Sequence, residues 1–324
     1  MNIRPNLLAT TRYASSSSDF QLIADLICSD VIRSPLLPYA DGARTIRLKA
    51  ECLQPLGSFK IRAASSALHS LDPRELRNGV ATASAGNFAQ GLALAAQRRR
   101  VALTVHVPDS AARVKIDAIR RLGATIVTHS FMDWWTIMAT RNTGSNDGTF
   151  IHPVCEPSVI LGNGTIGLEL AEDWQELDTV VIPFGGGGLA TGIALALRTL
   201  SRKVRIVACE IETAAPLAAA FAAKVPVRVE RRPSFVDGIG SNSVLDEMWP
   251  LIKDLVDDVI VVSLDEARYA LRELAFRCHL IAEGAGAVAL AAALSPRCGG
   301  SHVAALVSGG NIDPAVLGQI LTNN

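Results

Sequence analysis

The sequence predicts an α/β protein built from two doubly wound domains, each with a parallel sheet. Three observations predict it. Short β-rich runs alternate with amphipathic or alanine-rich stretches along almost the whole chain. Several of these runs break into glycine-rich turns and restart as helices. The chain has 324 residues, 49% of them apolar and 19% charged, enough for two packed cores.

The strands fall at 45–50, 80–83, 103–107, 125–127, 179–183, 205–209, 258–262 and 303–307, where β-branched and other apolar residues run between turn signals. Helices are expected at 88–97, 112–122, 166–176, 189–199, 265–279 and 285–294. A turn-rich stretch at 142–148 marks a crossing between domains. This divides the chain into a discontinuous large domain, 1–70 with 151–324, and a small domain, 71–150. Ligands of such sheets sit at the carboxyl ends of the strands.

Lys plus Arg and Asp plus Glu both total 31, a balance that leaves no electrostatic footprint for nucleic acid or an anionic membrane. The Arg98-Arg99-Arg100 run ends a helix, where cations suit the dipole. Six cysteines with no Cys-x-x-Cys pair point to reduced thiols in a cytoplasmic protein. No stretch reaches the roughly 18 uncharged apolar residues of a membrane helix. The first residues, with Arg4, Arg12 and a serine run through Ser18, read as a polar tail.

Four glycines, Gly185, Gly186, Gly187 and Gly188, follow the strand at 179–183 and open the helix that begins with Leu189. Bare backbone lets several N–H groups converge on one anion, and the helix dipole adds positive potential. The run also satisfies G-x-G-x-x-A, and Glu210 closes the next strand as a ribose-binding acid would. On this motif alone, a dinucleotide and another phosphate ligand stay equally open.

Three further strand-end segments decide between them. Gly57-Ser58-Phe59-Lys60-Ile61-Arg62 puts a lysine at a loop-to-helix transition beside an aromatic ring, a candidate Schiff-base nucleophile. Ser84-Ala85-Gly86-Asn87 follows a strand and offers small residues, amides and a side-chain amide at a helix start, suited to a carboxylate or phenolic oxygen. In Ser308-Gly309-Gly310-Asn311 a hydroxyl can meet a ring nitrogen while the glycines admit a flat ligand. Each alone has an ordinary reading: a surface lysine, an N-cap, a strand-ending turn.

Together, in this order and with Ile32-Arg33-Ser34-Pro35-Leu36, Asp237-Gly238-Ile239 and Glu283-Gly284-Ala285-Gly286-Ala287, they resemble the fold-type II pyridoxal-phosphate enzymes. Within these the threonine/serine dehydratase (ammonia-lyase) and serine racemase group is the match, over nearly the whole chain. The resemblance implies the tryptophan synthase β kind of fold and pyridoxal 5'-phosphate as cofactor. By the same resemblance Lys60 holds the cofactor as a Schiff base and removes the substrate Cα proton, and Phe59 lies against the ring. Asn87 bonds the phenolic oxygen, Gly185 to Gly188 with the Leu189 amide cradle the phosphate, and Ser308 faces the pyridine nitrogen. Ser84, Ala85, Gly86 and Asn87 bind the substrate carboxylate.

Departures from the family's pattern refine the expectation. The racemases carry a serine proton donor where this chain has Ala85, which disfavours racemisation. Their divalent-cation site uses a Glu, a backbone carbonyl and an Asp; Glu210 and Ala214 match the first two, but Pro216 replaces the Asp, so no metal is expected. Phe88 stands where the family usually has His, either shaping the pocket rim or packing in the core.

The function expected is a lyase of amino-acid catabolism that converts L-threonine and/or L-serine to a 2-oxo acid and ammonia. The alternatives are an amino-acid racemase, a 3-hydroxyaspartate-type dehydratase, a β-replacement enzyme and, from another class, an NAD(P)-dependent oxidoreductase. The partners implied are a small amino-acid substrate and a second copy in a homodimer, with no nucleic acid and no membrane.

Overall fold

The computed structural model describes residues 16–322 apart from 41 and 43; the polar stretch bearing Arg4 and Arg12 lies outside the described residues. Two compact units partition the chain. One comprises Lys60–Asn163 with the chain up to Ile32, the other Arg33–Phe59 with the chain from Gly164.

Among the described residues ten strands are numbered in chain order: β1 (Leu36–Ala40), β2 (Thr45–Lys49), β3 (Val80–Ala83), β4 (Leu103–Pro108), β5 (Thr125–His129), β6 (Thr149–Phe150), β7 (Thr179–Pro183), β8 (Arg205–Ile211), β9 (Asp258–Val262) and β10 (His302–Leu306). Six form the sheet of the larger unit in the order β1-β2-β10-β7-β8-β9. All neighbours there are parallel except the edge pair β1–β2. The smaller unit holds a parallel sheet in the order β5-β4-β3-β6. The predicted class, α/β with two parallel sheets, is the observed one.

The strands β1 and β6 were not anticipated. Proline at position 38 argues against a strand, yet β1 is an edge, where a missing N–H is tolerated. Only two residues make β6, too few for a periodic signal.

β7 is buried along its length, as parallel strands covered on both faces are. The helix Gly284–Leu294 is almost all glycine and alanine with Val288 and Leu290, and 284–293 are buried. Its thin side chains let it lie deep in the core with Val181, Val207 and Ile260. In the smaller unit Phe88, Leu92, Val105, Val107 and Ile119 share a second core.

Expected and observed boundaries differ around 157–176. The helix observed is Pro157–Asp173, not 166–176. Glycines at 162, 164 and 167 lower the helix propensity of this stretch, and Gly162 is a contact glycine. A Cβ there would lie 2.5 Å from the Arg62 carbonyl oxygen and 2.6 Å from Ser66 Cβ. This packing, with Ser66 Oγ donating to the Ser158 carbonyl at 2.6 Å, ties residues 157–163 to the helix Lys60–Ser70. That helix in turn packs against Asn87–Arg99. Both segments therefore group with the small sheet, whereas the sequence reading assigned 1–70 and 151 onward to the large domain.

Candidate active site

In the larger unit, β2 leads through two short 3₁₀ turns, Glu51–Leu53 and Pro55–Gly57, to Ser58. Leu56 and Gly57 both have positive φ, at 61° and 67°, which reverses the chain within two residues. The segment is then pinned to the turn after β10. Ser58 bridges Gly309, and the Phe59 N–H donates to the Ser308 carbonyl at 3.1 Å. The Gly310 N–H donates to the Gly57 carbonyl at 2.8 Å, and Asn311 Nδ2 to the Leu56 carbonyl at 2.7 Å. Phe59 and Ser308 are both buried. Lys60 follows Phe59 directly in the chain.

The motif glycines around Ser308 serve close approach. A Cβ on Gly309 would lie 2.5 Å from Glu283 Oε1, one on Gly310 2.6 Å from the Ile281 carbonyl oxygen, and one on Gly284 2.8 Å from the Phe235 carbonyl oxygen. A Cβ on Gly238 would lie 2.9 Å from that of Ala285. The Asp237–Ile239, Glu283–Ala287 and Ser308–Asn311 motifs are thus one packed cluster, with the buried Glu283 carboxylate at its centre.

β7 is the parallel neighbour of β10, so the glycine run and Ser308 emerge at the same, carboxyl end of the sheet. The Phe184 N–H donates to the Cys209 carbonyl, which ends the strand, and the first helical bond runs from the Thr191 N–H to the Gly187 carbonyl at 2.9 Å. Gly187 has φ +94°, a conformation that favours glycine. Gly187, Gly188 and Leu189 are buried, and their amides belong to the unpaired first turn of the helix Gly188–Thr199. Buried donors of this kind suit an anion at a helix start.

In the smaller unit β3 ends at Ala83. The Ser84 N–H donates to the His106 carbonyl, Gly86 N–H donates to Ser84 Oγ at 3.4 Å, and Asn87 begins the helix Asn87–Arg99. One turn on, a Cβ at Gly91 would lie 3.2 Å from Ile61 Cα and from the Lys60 carbonyl carbon. The helices that begin with Lys60 and Asn87 therefore start side by side. Phe88 is 2% exposed within the core cluster. Of its two sequence readings the packing one holds, and Phe88 does not form a pocket rim.

Glu210 is buried at the end of β8, and burial pushes its carboxyl up to about 7. Its oxygens accept the Leu217 and Ala218 amides at 2.8 Å each, capping the helix Pro216–Ala223. With both oxygens engaged by amides, and proline at 216 where a carboxylate is required, Glu210 and Ala214 do not fit a hard cation. The same bonds leave Glu210 facing its own helix, not a ribose. Among the cysteines, burial raises Cys52 to about 12 and Cys209 well above the ordinary thiol range, the behaviour of inert structural thiols.

Motif reading gave no role to Glu51, buried with its Oε1 receiving the Ser34 hydroxyl at 2.5 Å, nor to Glu283. Glu283 opens the Glu283–Ala287 motif, whose local signal lies in its glycines. Glu51 carries no sequence signal, because only the fold brings residue 34 against it.

In the larger unit the glycine run with its buried amides and the buried Ser308 turn thus lie at the ends of neighbouring parallel strands. The chain belongs to the family described as pyridoxal-phosphate dependent enzyme, whose model matches residues 27–309. It is 38% identical over 278 residues to the L-threonine ammonia-lyase of Thermotoga maritima, covering 85% of this chain and 69% of that protein. A serine racemase of Oryza sativa subsp. indica is 35% identical over 281 residues, covering 84% and 83%. The structure of maize serine racemase superposes with a TM-score of 0.88 at 32% identity, covering 95% of this chain and 97% of that one. Pyridoxal phosphate is thus the cofactor, which removes the dinucleotide reading of Gly185–Ala190. The buried amides at 187–189 and the φ of Gly187 fit its phosphate. No helix among the described residues is long and apolar enough to cross a membrane.

Proposed function

We propose that this chain is a dehydratase (ammonia-lyase) that converts L-threonine and/or L-serine to the 2-oxo acid and ammonia. The observation that carries the reading is the identity of residue 85. The turn after β3 offers Ala85 where a racemase needs a second proton donor, and the neighbouring Ser84 hydroxyl accepts the Gly86 amide. One acid–base group, Lys60, suffices for elimination, whereas racemisation needs a donor on each face of Cα.

In this reading Lys60 holds the cofactor covalently and Phe59 covers one face of its ring. Asn87 donates to the phenolic oxygen, the amides of Gly185, Gly186, Gly187, Gly188 and Leu189 hold the phosphate, and Ser308 faces the pyridine nitrogen. Pyridoxal phosphate, when bound, supplies an electron-withdrawing ring that acidifies the substrate Cα–H. Asn87 and the turn formed by Ser84, Ala85 and Gly86 fix the substrate carboxylate. Lys60 Nζ, freed once the substrate amino group takes its place on the cofactor, takes the Cα proton. The resulting ammonium of Lys60 then protonates the β-hydroxyl, which departs as water with the C–O bonding pair. The released enamine takes up a proton at Cβ and is hydrolysed, giving one 2-oxo acid and one ammonium. A hydroxyl at Ser308, unlike a carboxylate, does not stabilise a cationic ring nitrogen, which favours prompt loss of the hydroxyl.

The reading includes a cytoplasmic homodimer, supported by the resemblance to the dehydratase group and testable by light scattering. The decisive experiment compares the holoenzyme with Lys60→Ala. The variant should lose both the visible absorption band and 2-oxo acid release, and full turnover in it would sink the assignment.

A further inference from the structure

Outside the proposed site, the smaller unit buries an imidazole that the chemistry above does not use. His106 stands in β4, 1% exposed, beside Ala83 of β3. Its neighbours Val105 and Val107 belong to the core around Phe88 and Leu92, so alternation turns the His106 side chain to the opposite face of the sheet. There His106 Nδ1 lies 2.8 Å from Nε2 of His129, the last residue of β5, with ring centroids 5.0 Å apart. His106 Nε2 lies 3.1 Å from Oδ2 of Asp147, in the loop that leads to β6, a close electrostatic contact not aligned as a hydrogen bond. Asp147 also receives the Ser145 hydroxyl.

The backbone of His106 is engaged as well. Its carbonyl accepts the Ser84 N–H at 3.2 Å and Trp134 Nε1–H at 3.1 Å. One residue therefore links the half-exposed His129, the 142–148 loop, the helix Phe131–Thr140 and the first amide of the Ser84–Asn87 turn.

We propose that the His129–His106–Asp147 chain is a pH-sensitive latch, with His106 a positioning residue that holds the Ser84–Asn87 turn in place.

The chemistry of the chain sets its direction. A carboxylate beside Nε2 selects the His106 tautomer protonated there, which leaves Nδ1 as an acceptor for Nε2–H of His129. A proton added to His106 Nδ1 sets two donors against each other and breaks the link. Burial holds the His106 pKa below the ordinary imidazole value of 6.5, so that proton is resisted near neutrality. The groups facing His106 are His129 from β5 and Asp147 from the loop; β3 presents no titratable side chain, and Asp133 of the helix Phe131–Thr140 is exposed and bonded to Ser130. With its folded pKa below the unfolded one, the contribution of His106 is present above the unfolded value and lost as pH falls through the folded value.

The test is amide hydrogen exchange of the holoenzyme, corrected for intrinsic rate, from about pH 8 to about pH 5, spanning the imidazole range. Peptides covering 84–87 and 142–148 should lose protection together as pH falls. In Asp147→Asn and His129→Phe they should already be about tenfold less protected at neutral pH, the scale of losing one partly buried polar contact. In His129→Phe the substrate KM should rise with kcat retained, a split that general destabilisation does not produce. Unchanged protection of 84–87 across the pH range in the parent protein overturns the latch, and that measurement needs no variant to fold. The link from the turn to KM rests on the carboxylate role proposed for Ser84–Asn87. Exchange that responds while KM does not leaves the latch standing and removes that role instead.

Discussion

Gly91 lies against the backbone of Ile61: a Cβ placed on it would sit 3.2 Å from both the Cα and the amide nitrogen of Ile61. This contact puts the first turns of the helices Lys60–Ser70 and Asn87–Arg99 together, which is how a lysine and an asparagine separated by 26 other residues come to share one end of a helix pair. Because backbone stands on the far side, neither helix can yield by a rotamer change. Gly91→Val should destabilise the protein by about 1–3 kcal/mol, the scale of overpacking, and should misalign Lys60. Urea melts with and without cofactor check it: the loss should be larger for the holoenzyme.

Glu169 and Lys49 give a second test. Lys49 is fully buried, with Nζ 2.6 Å from Glu169 Oε2, 2.8 Å from the Ser34 carbonyl and 3.8 Å from Asp173 Oδ2. Removing one partner strands the other's charge, so Glu169→Ala should cost about 3 kcal/mol, and pairing it with Lys49→Met should recover most of the loss. Equal stability of the single and double variants would show that the ammonium finds other compensation.

For Glu210 the folded pKa, about 7, exceeds its ordinary 4.5. The folded state therefore keeps this proton to higher pH than the unfolded chain does, and the associated stability is full below 4.5 and lost as pH rises toward 7. Glu210→Gln cannot titrate, so denaturation midpoints of the parent should fall relative to the variant across that window. Parallel curves would falsify the assignment.

Gly187→Ala forces a side chain onto φ +94°, with its Cβ 2.5 Å from the movable end of Ile252. The backbone strain is about 1 kcal/mol or more, and it falls on the loop proposed to hold the phosphate. Cofactor titration followed by absorbance should show affinity about tenfold weaker, a loss of roughly 1.4 kcal/mol.

Ala85→Ser restores a hydroxyl to the turn after β3. If residue 85 decides between elimination and racemisation, L-serine incubated with this variant in deuterated water should yield D-serine labelled at Cα, with pyruvate formation continuing. Chiral chromatography with mass detection reads both. Equal D-serine from parent and variant would remove residue 85 from that decision.

Much of this was legible before any coordinates. Strands such as β3, β7 and β10 carry mostly apolar runs with glycine close by, and their ends bear the motifs, so fold class could be read from local order and the cofactor from the family resemblance. The helix Pro157–Asp173 was misjudged at its start because Gly162 lowers helix propensity in sequence and is a contact in space. The edge strand β1 was hidden by Pro38, and the domain assignment of Lys60–Ser70 by a contact that only Gly91 reveals.

The sequence by itself determined the class of fold, the family and the candidate cofactor residues, because a strand that ends in bare backbone or a hydroxyl is a local pattern with a chemical meaning. Tertiary structure alone decided that Phe88 belongs to the core, that Glu210 caps a helix, and that His106, His129 and Asp147 form one chain. Those outcomes depend on which distant groups a side chain meets, and the meeting is set by sheet order and close packing, which no spacing along the chain encodes.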